Sequence, residues 1–146
     1  MLDPVTLKAK ASLLVLASVL FAAHPLPAGA QMRNVSMASD SSSYRAGAAR
    51  HIYAAYAESI YKGTLPPLVH AIVVVETEVD AFGNVKDIRV VRSPSHAPDV
   101  TEDVKRMINR ASPFPAPGTE STKFTEVWLV DDSGRFQLHT LTEGQR

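Results

Sequence analysis

Cysteine is absent from this 146-residue chain. That absence removes disulfide staples, thiolate nucleophiles and the commonest ligands of structural zinc together. Excess charge is missing as well: 15 Lys and Arg balance 15 Asp and Glu, and neither sign is gathered into a run. A nucleic-acid surface is normally built on a basic stripe, so no nucleic-acid partner is expected. The chain also lacks an apolar run of the ~20 residues that a membrane-spanning helix needs. It contains no Gly-rich phosphate loop, H-E-x-x-H spacing or G-x-S-x-G elbow. His24, His51, His70, His96 and His139 are scattered, so neither a metal nor a cofactor is expected. Asp99 with Asp103 reads as helix capping and solvation, and Asp131-Asp132 as turn chemistry. These absences argue against an enzyme, with no catalytic residues to name.

What is present begins with an export signal. Lys8 and Lys10 precede the apolar run Ala11 to Ala23; Pro25 and Pro27 then lead to Ala28-Gly29-Ala30. A charged start, a short apolar core and a small-x-small site are the three parts of a secretory signal peptide. Residues 1–30 are therefore expected to be removed, placing a mature chain from Gln31 in the periplasm. With no cysteine, no residue near that point could carry a lipid anchor. Gln31 to Ser43 is polar, Ser-rich and aperiodic, and reads as a flexible segment. The remainder, 44–146, has the size of one domain with one modest core. Its makeup is ordinary for a globular protein, since 45% of the chain is apolar and 21% charged.

Within that domain the periodicity changes three times. Ala49, Ile52, Tyr53, Tyr56 and Ile60 fall at three- and four-residue steps, predicting a helix over Tyr44 to Lys62, capped by Ser43 and stopped by Gly63 and Pro66-Pro67. The valine-rich run from Leu68 to Asp80 predicts a strand with Val73, Val75, Thr77 and Val79 on one face. A turn at Ala81-Phe82-Gly83-Asn84 leads to a returning strand, Val85 to Arg92. There Val85 and Ile88 differ in parity and call for a bulge near Lys86. Asp99, with Glu102 three residues later, resembles a capping box opening a second helix. Val100, Val104, Met107, Ile108 and Ala111 form its apolar stripe. After the break at Pro113-Phe114-Pro115, Lys123 to Val130 and Arg135 to Leu141 predict a second hairpin around Asp132-Ser133-Gly134. The fold class expected is α+β, with two helices packed on one face of a small antiparallel sheet. Val75, Val79, Val90, Met107, Ile108 and Trp128 are expected in its core.

The joint order of these residues resembles the C-terminal domain of TonB and TolA. The match runs from Val73 to Trp128: a valine-rich strand ending in Val79-Asp80, Gly83-Asn84-Val85, Ile88 to Ser93, Asp99 at a helix start, Pro113-Phe114-Pro115, and the strand Phe124 to Trp128. The resemblance implies a protein-binding module that takes an extended partner segment onto a sheet edge. The partner would be a protein of the periplasm or outer membrane, in outer-membrane transport or envelope maintenance. The corresponding edge here is Lys123 to Val130, with Lys123, Thr125, Val127 and Leu129 as the partner-binding residues. The Arg135 to Leu141 strand should hairpin onto that edge and would have to be released to expose it. An energy transducer needs a permanent anchor and a long Pro-rich span. The cleavable signal and short Ser-rich segment point instead to a stand-alone adaptor, with membrane contact only if the signal stays uncleaved. The alternatives are an anchored energy transducer with an uncleaved N-terminal helix, and a small periplasmic enzyme.

Overall fold

A computed structural model describes residues 28–144, with side chains from residue 41 onward. The segment 1–30 expected to be an export signal falls outside the described residues except for Ala28–Ala30, which open the first helix. The elements are α1 (Ala28–Ala55), β1 (Ala71–Asp80), β2 (Val85–Arg92), α2 (Pro98–Ala111), β3 (Ser121–Val130) and β4 (Phe136–Leu138). Single 3₁₀ turns follow α1 at Ala57–Ser59 and β4 at His139–Leu141. All four strands form one antiparallel sheet in the order β2-β1-β3-β4, an α+β architecture.

Alternation decides which face is covered. Ala71, Val73, Val75, Thr77 and Val79 of β1 are buried, whereas their even-numbered neighbours are only partly so. Register pairs Val73 with Trp128 and Thr77 with Phe124, so the buried residues of β1 and β3 share one face. Ala48, Ala49 and Ile52 of α1 join Val104, Ile108 and Ala111 of α2 on that face, in a single apolar cluster around Trp128. Both helices therefore cover the same side of the sheet. Val75, Val79, Ile108 and Trp128 are buried as expected, while Val90 and Met107 are only partly buried at the margin of the cluster.

The β1–β2 register skips Lys86 and Val91, so the expected irregularity near Lys86 is present and a second one follows it. The turn between these strands is fixed by Asp80. Its carboxylate accepts the backbone N–H groups of Phe82 and Asn84 and the Asn84 side-chain amide. The Asn84 amide is the main reason its carboxyl is held below the usual carboxylate range. Gly83, at φ 86°, accepts the Phe114 N–H at 2.8 Å. A Cβ there would stand 1.8 Å from the Phe114 carbonyl oxygen. The Gly turn and the P-F-P break are thus two sides of one close backbone approach.

Four expectations are corrected. The segment 31–43, expected to be flexible, is helical: α1 runs through it. It contains neither proline nor glycine, and each residue added to an existing helix gains a hydrogen bond at low entropic cost. The same helix ends at Ala55 rather than Lys62, and Ile60 instead bridges Phe136 in an isolated parallel pairing. Asp99 does not cap α2. Pro98 occupies the first helical position, Ala97 precedes it, and Asp99 lies in the first turn, where its charge suits the helix dipole. Finally, the last strand covers Phe136–Leu138 only, because the chain tightens into a 3₁₀ turn at His139.

Candidate functional site at the outer edge of the third strand

Strand β3 is paired unequally on its two sides. Toward β1 the register runs without interruption from Ala71–Val130 to Asp80–Ser121. Toward β4 it stops after Trp128, Leu129 and Val130. The direction of each backbone group follows from alternation in antiparallel pairs. The Leu138 N–H donates to the Tyr53 hydroxyl at 3.1 Å, and the Phe136 carbonyl accepts the Tyr61 N–H at 2.9 Å. Both groups point away from β3, so it is Gln137 that faces Leu129. Odd-numbered residues of β3 therefore direct their N–H and C=O groups to the outer edge, and even-numbered ones direct theirs to β1. The Val127 N–H agrees, pointing outward to Glu126 Oε1 at 3.0 Å.

The structure thus places all four sequence-predicted residues on the outer edge and separates their states. Leu129 is consumed by pairing with β4. The Val127 N–H is capped by the Glu126 carboxylate. Lys123 and Thr125 lie beyond the reach of β4, and among the described residues no strand pairs with them on that side.

Burial weighs against release of the last strand. Phe136, Gln137 and Leu138 are each no more than 1% exposed. Gln137 Nε2 donates to the Tyr61 and Gly63 carbonyls at 2.9 and 2.7 Å. This strand is core structure. The accessible edge is the half of β3 that β4 never covers.

Beside that half lies a cleft of about 580 Å³, lined by Ser41, Ser42, Arg45 and Ala46 of α1, Lys123 to Thr125 of β3, and His139 and Thr140. Next to the lining residue Thr125 stands Glu126, which is 1% exposed. Glu126 Oε1 accepts the Val127 and Thr140 N–H groups, while Oε2 lies 3.7 Å from Arg45 Nε and has no hydrogen bond among the described residues. Arg45 Nε donates to Thr140 Oγ1 at 2.5 Å. Thr140 would stand opposite Glu126 if β4 continued. The carboxylate takes the outward Val127 N–H, which would meet the carbonyl of His139 if β4 continued, and also the Thr140 N–H, and the ladder ends there.

Arg45, Glu126, His139 and Thr140 were missed by sequence reasoning. Glu126 could have been found, because it sits between Phe124 and Trp128 at core parity, where a charge needs a partner. Arg45 is not part of the apolar stripe of α1, so no local pattern singles it out.

Other surfaces are less suited to strand pairing. The β2 edge is interrupted by two extra residues, Lys86 and Val91, and carries Lys86, Asp87, Arg89 and Arg92. Bulges and charge are common protections of sheet edges. His96 Nε2 lies 2.7 Å from the His70 carbonyl oxygen, the rings meeting edge to face. Among the described residues no three His, Asp or Glu side chains are grouped to hold a metal ion. Among the same residues no helix is long and apolar enough to cross a membrane.

Fold and site together define a two-layer α+β domain with one unbulged, half-covered sheet edge. No protein-family model matches the chain. No curated protein matches it, and no solved structure does.

Proposed function

We propose that this domain is a protein-binding module that takes an extended segment of a partner protein along the outer edge of β3. The observation that carries the reading is the unbulged edge at Lys123 and Thr125, which β4 leaves uncovered beside an open cleft. Outward N–H and C=O groups give such an edge its affinity, and the flanking side chains give it selectivity. The TonB/TolA-like order of residues supports the same role, in outer-membrane transport or envelope maintenance. The layout of Lys8 to Ala30 supports export, with the partner a protein of the periplasm or outer membrane.

The direct test is Thr125→Pro. Proline removes the outward N–H while leaving the β1 ladder intact, since the Thr125 donor does not face β1; at such edges proline is tolerated. Immobilised wild-type domain should retain a defined protein from periplasmic and outer-membrane extract. The variant, with an unchanged far-UV spectrum, should retain at least tenfold less. Equal capture by both would remove β3 as the acceptor. Export is checked separately by the intact mass of protein from the periplasmic fraction, which should correspond to a chain starting at Gln31. A mass retaining Ala11 to Ala23 would restore the anchored reading.

A further inference from the structure

The side chains around the uncovered edge are skewed in charge, although the whole chain is neutral. Arg45, Lys123 and His139 line the cleft, and among the described side chains no Asp or Glu does. Among the described side chains, the carboxylates beside it are Glu126, which is buried, and Glu78, on the opposite face of the sheet. Glu126 is buried and holds Arg45 by Nε at 3.7 Å, while the Arg45 side chain keeps 36% of its surface exposed. Its Nη donors make no hydrogen bond among the described residues, whereas Nε is tied to Thr140. On the other side, Glu78 receives Lys123 at 3.2 Å through one oxygen and Lys86 at 3.7 Å through the other. Two ammonium groups share that carboxylate, so Lys123 is incompletely neutralised.

Resting on the reading above, we infer that the segment accepted by β3 is acidic: an extended peptide with a Glu or Asp side chain lying in the cleft, between Arg45 and His139. Geometry fixes the place. A strand added beside Lys123 and Thr125 cannot continue past Thr140, because the chain itself blocks the line of β4 there. The added strand's residue nearest this block meets Arg45, whose planar fork suits a carboxylate. Its other side chains on that face run along α1, past Ala46 and Ser42. The opposite face carries Lys123, a second cation for an acidic residue further along.

The experiment uses a library of random seven-residue peptides, displayed as internal segments with no free C-terminus. It is selected on the full mature domain and scored against Thr125→Pro. Enriched peptides should carry Glu or Asp at one fixed position well above its input frequency. A synthetic, C-terminally amidated copy should bind at least tenfold more tightly than its Gln or Asn counterpart. Lys123→Glu, an exposed substitution, should weaken the acidic peptide at least threefold and spare the Gln form. Arg45→Lys should weaken the acidic peptide more than the Gln form.

Enriched peptides that need Thr125 but show no acidic position would overturn the acidic preference and leave strand addition standing. Peptides indifferent to Thr125→Pro, or no enrichment at all, would overturn strand addition itself and the acidic preference with it. Loss of binding on C-terminal amidation alone would assign the carboxylate to a chain end and overturn the side-chain assignment.

Discussion

Thr77, Glu126 and Trp128 each place a polar atom in the core without a hydrogen-bond partner. The cases differ in what else holds the residue. Trp128 is the largest buried side chain and packs 4.6 Å from Phe136, ring centroid to centroid, so its area outweighs one lost donor. Glu126 spends one oxygen on two backbone donors and stands near Arg45, terminating the β4 ladder. Thr77 has no such compensation: it is fully buried between Val75 and Val79, and its hydroxyl has no hydrogen-bond partner among the described residues. Removing an unsatisfied buried polar group with little change of shape recovers its desolvation cost, about 1–3 kcal/mol. Valine keeps the branched outline of threonine and suits a strand. Thr77→Val should therefore raise unfolding stability by roughly 1 kcal/mol. Urea titration measures it, and a loss of stability would show that the hydroxyl has a partner, such as a buried water.

At the scale of elements, alternation made the strands legible and chain ends made the helices less so. Strand β2 was read to the residue, Val85–Arg92, because its turn and its parity break are both local signals. The face of β1 was read from Val73, Val75, Thr77 and Val79 for the same reason. The limits of α1 were not legible. Tyr56 and Ile60 keep helical spacing by coincidence, while Ile60 is used by tertiary pairing with Phe136, which no local pattern encodes. The edge residues Lys123, Thr125, Val127 and Leu129 were legible as one parity class. Which of them stay uncovered depends on how far β4 extends, and that is decided by the contact of Glu126 with Thr140, which the parity of β3 alone does not encode. The same lesson reverses the weight given to the last strand. It has few large apolar groups, but Phe136 and Leu138 lie within the main cluster. Truncating a buried Phe or Leu costs about 2–5 kcal/mol each, against total stabilities of about 5–15 kcal/mol. Deleting Ser133 to Arg146 should consequently unfold the domain, seen as loss of the native far-UV spectrum and of amide protection. A truncated domain that stays folded and binds partners more strongly would show that β4 is a displaceable strand after all.

Across the whole molecule, one cluster joins both helices to three core strands and to β4, and nothing divides it. No disulfide contributes among the described residues, so packing and the backbone ladders carry the stability in any redox environment. A single shared core of this size is expected to melt in one step, since no part can lose its neighbours while the rest keeps them. The chain's one tryptophan lies at the centre of that core, with no exposed surface. It packs on Phe136 from β4 and pairs across to Val73 of β1, so its fluorescence reports the sheet interior. Far-UV circular dichroism, by contrast, weighs the two helices. Urea unfolding followed by Trp128 emission and by far-UV ellipticity should give the same midpoint and the same slope, with the emission shifting to the red as Trp128 meets water. Reductant should leave both curves unchanged. Separated midpoints, with ellipticity falling before emission, would mean that α1 detaches while the sheet persists. The wall of the cleft that carries Arg45 would then be a mobile element rather than part of the rigid site.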